Sequence, residues 1–129
     1  MQGRQLYEYA VVRVVPRVER EEFINIGVLL YAHASKKIFW RCFLDEKKLL
    51  ALDSEADLQE IRQYIEAFVR ICCGGRDGGP IGGLDAISRF RWLTAFRSTM
   101  LQTSRVHPGF CTDPETELHR LFQKLVRSP

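Results

Sequence analysis

The sequence predicts an α+β domain, an antiparallel sheet of three to four strands with about three helices packed on it, and three observations carry that expectation. Residues Tyr7 to Leu44 form successive runs rich in β-branched and aromatic residues, joined by short polar connections, as in an antiparallel meander. From Leu58 the apolar residues recur at helical spacing instead. Asp113 followed by Pro114 then opens a last amphipathic segment in the manner of a capped helix.

Tyr7 to Val15, YEYAVVRVV, is a strand closed by Pro16, with Tyr7, Tyr9, Val11, Arg13 and Val15 on one face and Glu8, Ala10, Val12 and Val14 on the other. Arg13 therefore stands mid-strand among apolar neighbours. Either its stem packs and its head reaches solvent, or its guanidinium is an anion ligand on an exposed sheet face. The charged connection RVEREE leads to a second strand, Phe23 to Ala32, with Ile24, Ile26, Val28 and Leu30 facing one way and Phe23, Asn25, Gly27, Leu29 and Tyr31 the other. Asn25 and Gly27 interrupt an apolar face. A glycine there marks a bulge with Asn25 tying down backbone, or Asn25 offers a donor and an acceptor to a ligand. HASKK turns the chain into a third strand, Ile38 to Leu44, whose Trp40 belongs to the core.

Ser54 to Asp57 offer capping side chains, and Leu58, Ile61, Ile65, Phe68, Val69 and Cys72 make the apolar stripe of a helix covering one sheet face. The helix ends in CCGGRDGGPIGG, where six of the nine glycines lie between Gly74 and Gly83, and this composition predicts a flexible loop. The loop lacks both G-x-x-x-x-G-K-[ST] and G-x-G-x-x-G and follows a helix rather than a strand, so it does not carry a phosphate-binding signature. Leu84 to Leu93 reads as a short helix with Leu84, Ile87 and Phe90 inward, and Arg97 to Thr103 as a fourth strand. Pro108 and Gly109 predict a turn. Leu118, Leu121, Phe122, Leu125 and Val126 line the last helix.

Bulk properties bound the function. A chain of 129 residues, 46% hydrophobic and 27% charged, reads as one domain over residues 1–129. A domain of this size buries roughly 70% of its unfolded surface, so a real core is expected. The apolar runs fall far short of the roughly 18 residues that read as a bilayer span. The first ten residues show no signal core, so a soluble, cytoplasmic protein with no membrane partner is expected. Cys42, Cys72, Cys73 and Cys111 include no C-x-x-C pair, which predicts neither disulfide nor metal, and nothing points to a cofactor. The net charge of +3 is mild, so any nucleic-acid reading rests on clustering.

Such a cluster exists from Phe90 to Phe110, FRWLTAFRSTMLQTSRVHPGF. No Asp or Glu occurs between Asp85 and Asp113, while Arg89, Arg91, Arg97, Arg105 and His107 interleave with Phe90, Trp92, Phe96 and Phe110. Arginine forks suit phosphate or carboxylate, and aromatic faces suit bases. The same arginines could instead pair with the acids of Arg17 to Glu22 or Asp113 to Glu117. The candidate binding residues are Arg13, Asn25, Arg89, Arg91, Arg97, Arg105 and His107. Two functions fit them. One is a non-catalytic binding or accessory domain whose Arg and aromatic face contacts a protein or nucleic acid. The other is a small enzyme acting on a phosphorylated or nucleotide substrate, with Arg13, Arg97 and Arg105 as anion ligands and His107 or Glu22 moving protons. Adjacent Glu21 and Glu22 read as a solvated pair.

The stretches YEYAVVRVVPRVEREEFINIGVLLY and RFRWLTAFRSTMLQTSRVHPGF together resemble a bacterial family known as a domain of unknown function, DUF3037, from about Tyr7 to Val126. The family pattern carries Pro where this chain has Phe96, so a role that needs a rigid bend before Arg97 does not carry over from the resemblance. It implies a small soluble protein and, because some members resemble partners encoded beside HipA-like kinase domains, an association with such a kinase, and it implies no activity.

Overall fold

A computed structural model gives the architecture over residues 3–127. The expected meander is present: β1 (Gln5–Val14), β2 (Ile24–Ala32) and β3 (Lys37–Cys42) pair antiparallel in sequence order. The other edge of β1 carries two strands end to end, β4 (Leu101–Thr103) and β5 (His107–Cys111), both antiparallel to it. Among the described residues the sheet therefore has five strands, with β1 between β2 and the β4 and β5 edge. Between β3 and β4 the chain forms α1 (Glu46–Leu52), α2 (Leu58–Cys73), the single turn α3 (Gly79–Gly82) and α4 (Ala86–Thr94), and α5 (Pro114–Phe122) follows β5. The fold is thus α+β with more elements than the sequence announces.

Helices cover both faces. Leu49 of α1, Ile61, Phe68 and Ile71 of α2, and Phe90 and Leu93 of α4 pack on Val12, Val14, Ile26, Leu29 and Tyr31. Leu118, Leu121 and Phe122 of α5, with Val126, pack on Tyr7, Val28, Leu30 and Ala32. Local chemistry explains the helix starts: Asp45, Asp57, Asp85 and Asp113 each accept a backbone N–H three residues on, satisfying a first-turn donor. The α1 segment, EKKLLAL, was not foreseen because seven residues give too few turns for its period to stand out.

Four expectations are corrected. Ile26 does not share a face with Val28, because β2 carries an extra residue: Val12 pairs with Gly27, but Arg13 pairs with Asn25. The bulge sends Ile26 into the α2 core and turns Asn25 to the α5 side. The predicted strand from Arg97 shrinks to Leu101–Thr103, since Arg97 to Met100 runs as a non-strand connection. Pro108 and Gly109 lie inside β5 and make no turn. Pro108 is tolerated in a strand paired on one side only. Gly109 lies under the Tyr7 ring, where an added Cβ would fall 2.6 Å from the ring carbon Cζ. Leu84 stays exposed, because α4 begins only after the Asp85 cap.

The Gly74–Gly83 stretch folds into two tight turns, Arg76–Gly78 and α3, closed by the Gly75 N–H donating to the Gly82 carbonyl at 2.7 Å. Its glycines serve close packing as well as turning. Gly74, at φ 76° after the last turn of α2, lies beneath the Arg89 guanidinium, 2.8 Å from where its Cβ would be.

Between β4 and β5 the fourth strand breaks. Residues Ser104 to Val106 oppose only Ala10 and Val11. The Ser104 N–H donates to the Val11 carbonyl at 2.8 Å, and the Val11 N–H donates to the Ser104 hydroxyl at 2.8 Å, so a side chain replaces the missing ladder carbonyl. An unpaired buried N–H costs about 1–3 kcal/mol. Ser104→Ala should therefore lower the unfolding free energy by about 1–3 kcal/mol, read by urea denaturation, whereas no loss would mean that water satisfies Val11.

Candidate functional site

The seven sequence candidates divide by what their side chains already touch. Arg89 is committed to the fold: its Nη1 donates to the carbonyls of Ile71 at 2.8 Å and Cys72 at 2.9 Å, and its Nε to that of Leu84 at 3.0 Å. It gives the Cys72 carbonyl a donor, adds a second donor to the Ile71 carbonyl that the Gly74 N–H already meets, and fixes α4 against the end of α2. Arg91 forms a bidentate pair with Glu8 of β1, at 2.8 and 3.0 Å. Of the acids expected as partners in the segments Arg17 to Glu22 and Asp113 to Glu117, Glu22 pairs with Arg20 and Glu117 with Arg120 instead.

Asn25 donates its amide N–H to the Leu125 carbonyl at 3.1 Å, which leaves its buried Oδ1 without a partner among the described residues. The Arg97 guanidinium lies over the Trp92 ring, 3.8 Å from its centroid, and donates to the Trp92 carbonyl. Arg105 and His107 are exposed, and the His107 ring rests against Tyr9 with centroids 5.4 Å apart.

Arg13 differs from all of these. Its alternation in β1 places it on the face that carries α5, but α5 packs over β2 and β3 and leaves the Arg13 end of β1 as the floor of a cleft of about 550 Å³. Glu19, Glu21 and Phe23 form one wall; Phe96, Ser98 and Gln102 form the other. The guanidinium stacks on Phe23 at 4.0 Å. Its Nε is buried without a hydrogen-bond acceptor, and no carboxylate of the described residues lies within ion-pair distance. Burial pushes its pKa down. Phe96 is 90% exposed at the rim.

The trio Arg13, Arg97 and Arg105 does not gather around one anion. Arg13 and Arg97 line different hollows, which share Gln102 alone. Glu22 pairs with Arg20 at 2.7 Å near the start of β2, while His107 pairs with Tyr9, five residues along β1 from Val14, or about 16 Å at the usual strand rise. No shared proton-transfer pair results. Among the described residues no group of three or more His, Cys, Asp or Glu side chains gathers as metal ligands would. No described helix is long and apolar enough to cross a membrane.

Two charged clusters escaped sequence reasoning because their members are far apart in the chain. Glu8 receives Arg91 and also the Nε2–H of His33 at 2.6 Å. Glu117 receives Arg120 and the Tyr7 hydroxyl, and burial together with the Glu117 bond pushes the Tyr7 pKa up. The only signal for the first was Glu8 on the apolar side of a strand, which demands a cation across the sheet.

The chain matches the family described as "Protein of unknown function (DUF3037)" over residues 9–126, and it belongs to that family. No curated protein and no solved structure matches it.

Two outcomes follow for the charged residues. Arg89→Gln should destabilise the protein by about 1–3 kcal/mol in urea denaturation, because the part-buried Cys72 carbonyl loses its donor, whereas Arg105→Gln should stay within about 0.5 kcal/mol. Glu8 has its pKa lowered, first by the Arg91 hydrogen bond. A depressed carboxylate contributes stability above its unfolded pKa of about 4.3 and loses it as pH falls through the folded value. Glu8→Gln should therefore flatten the acid limb of the stability–pH curve in that window, and an unchanged limb would show that the pair contributes nothing.

Proposed function

We propose that this DUF3037 protein is a non-catalytic binding domain, an accessory protein whose recognition face is the cleft floored by Arg13. The observation that carries the reading is an arginine in the sheet that lines the cleft and stacks on Phe23, with no acid among the described residues paired to it. A cation so placed works against stability, since partial burial without a partner costs free energy. A carboxylate on an incoming partner would pair with the end of the guanidinium that lines the cleft. Phe23 and Phe96 offer aromatic area beside it, the composition enriched where proteins meet.

The wall acids decide between partner classes. Glu19 and Glu21 face the same cleft and would repel a phosphate backbone, which favours a protein segment of mixed charge over nucleic acid. His107 and Tyr9 extend the same sheet face toward β5 and would form the polar rim. A protein of the HipA-like kinase class, implied by the family resemblance, is the first partner to test.

Arg13→Met retains the stem and removes the charge. Its unfolding midpoint should equal or exceed that of the wild type, while a partner captured by the wild type from the native host should be lost. Arg97→Ala, in the neighbouring hollow, should keep that partner. A midpoint that falls sharply in Arg13→Met, or an identical set of partners for all three proteins, would sink the reading.

A further inference from the structure

A second hollow lies on the opposite face of the sheet, between α2, α4 and β4. Tyr64, Ala67 and Phe68 of α2 and Trp92 and Leu93 of α4 give it an apolar lining, and Arg97 stands among them. Its volume is about 170 Å³. An apolar cavity of about 150 Å³ is large enough to admit a single benzene ring. The size therefore limits an occupant to one ring or a short branched chain.

The charge at the hollow sets the rest of the chemistry. Stacking on Trp92 and donation to the Trp92 carbonyl fix the plane of the Arg97 guanidinium, and those contacts leave its other N–H groups for a ligand. No carboxylate of the described residues pairs with it. Burial pushes its pKa down, the cost of a cation set into an apolar wall without a counter-ion. Among the described residues no second cation lines the hollow, so a singly charged planar acid fits better than a phosphate dianion. We propose that this hollow is a binding site for a small monocyclic aromatic carboxylate, with the ring against Phe68 and Leu93 and the carboxylate on Arg97.

The site is separate from the Arg13 cleft and stands or falls apart from it. The test titrates the whole protein with 3-phenylpropionate, its neutral amide 3-phenylpropionamide, and the peptide N-acetyl-Gly-Gly-Phe, whose end carries the same chemistry on a chain. Amide NMR and calorimetry provide the readouts. The acid should bind saturably with shifts at Trp92 and Leu93, and the amide about tenfold more weakly or not at all. Arg97→Gln should erase the preference for acid over amide. Ala67→Leu, which fills the hollow from α2 and leaves Arg97 in place, should weaken binding of both. The acid–amide comparison needs no variant, so it decides even where a substitution unfolds the chain. Failure of the acid to saturate in the millimolar range, equal binding of acid and amide by the wild type, or tighter binding of the peptide than of the free acid would overturn the proposal.

Discussion

The pairing of β1 on both edges is the constraint from which the rest of the structure follows. A strand paired on both sides turns its backbone N–H and C=O groups toward its neighbours rather than toward water, so each must find its partner within the protein. The chain meets this demand with two irregularities rather than a perfect ladder. On one side β2 takes an extra residue at Ile26, and on the other the fourth strand breaks at Ser104, whose hydroxyl stands in for a carbonyl.

Those irregularities create the features with functional interest. Without the bulge, Ile26 would lie beside Arg13 and Asn25 would point into the α2 core. With it, the apolar residue is buried and two polar side chains share the α5 face. The short β4 likewise leaves residues 95–100 as a connection that separates two hollows, one holding Arg13 and one holding Arg97. Arginines alike in sequence thereby acquire different environments. Arg89 closes a helix end, Arg91 neutralises Glu8, and Arg13 and Arg97 remain without acidic partners among the described residues.

Local signals account for much of what could be foreseen. Alternation placed Arg13 with Tyr7 and Tyr9, glycine in a strand marked the β2 bulge, and the Asp57 and Asp113 caps set the starts of α2 and α5. The misses share one cause. Pro108 and Gly109 read as a turn by local preference, but the open edge of β1 and the Tyr7 ring over Gly109 hold them extended. The Gly74–Gly83 stretch read as slack chain, whereas the approach of Arg89 requires a residue without a side chain at Gly74.

The sequence by itself determined the α+β class, the meander, the main amphipathic helices and the presence of an arginine and aromatic cluster, because these depend on period, capping and composition within a few residues. Only the tertiary structure decided which arginines are spent on the fold. Whether a guanidinium meets a carbonyl, a carboxylate or an empty cleft depends on residues up to 83 positions away, as for Arg91 and Glu8. Such partners are set by strand register and helix packing, and no local pattern encodes them.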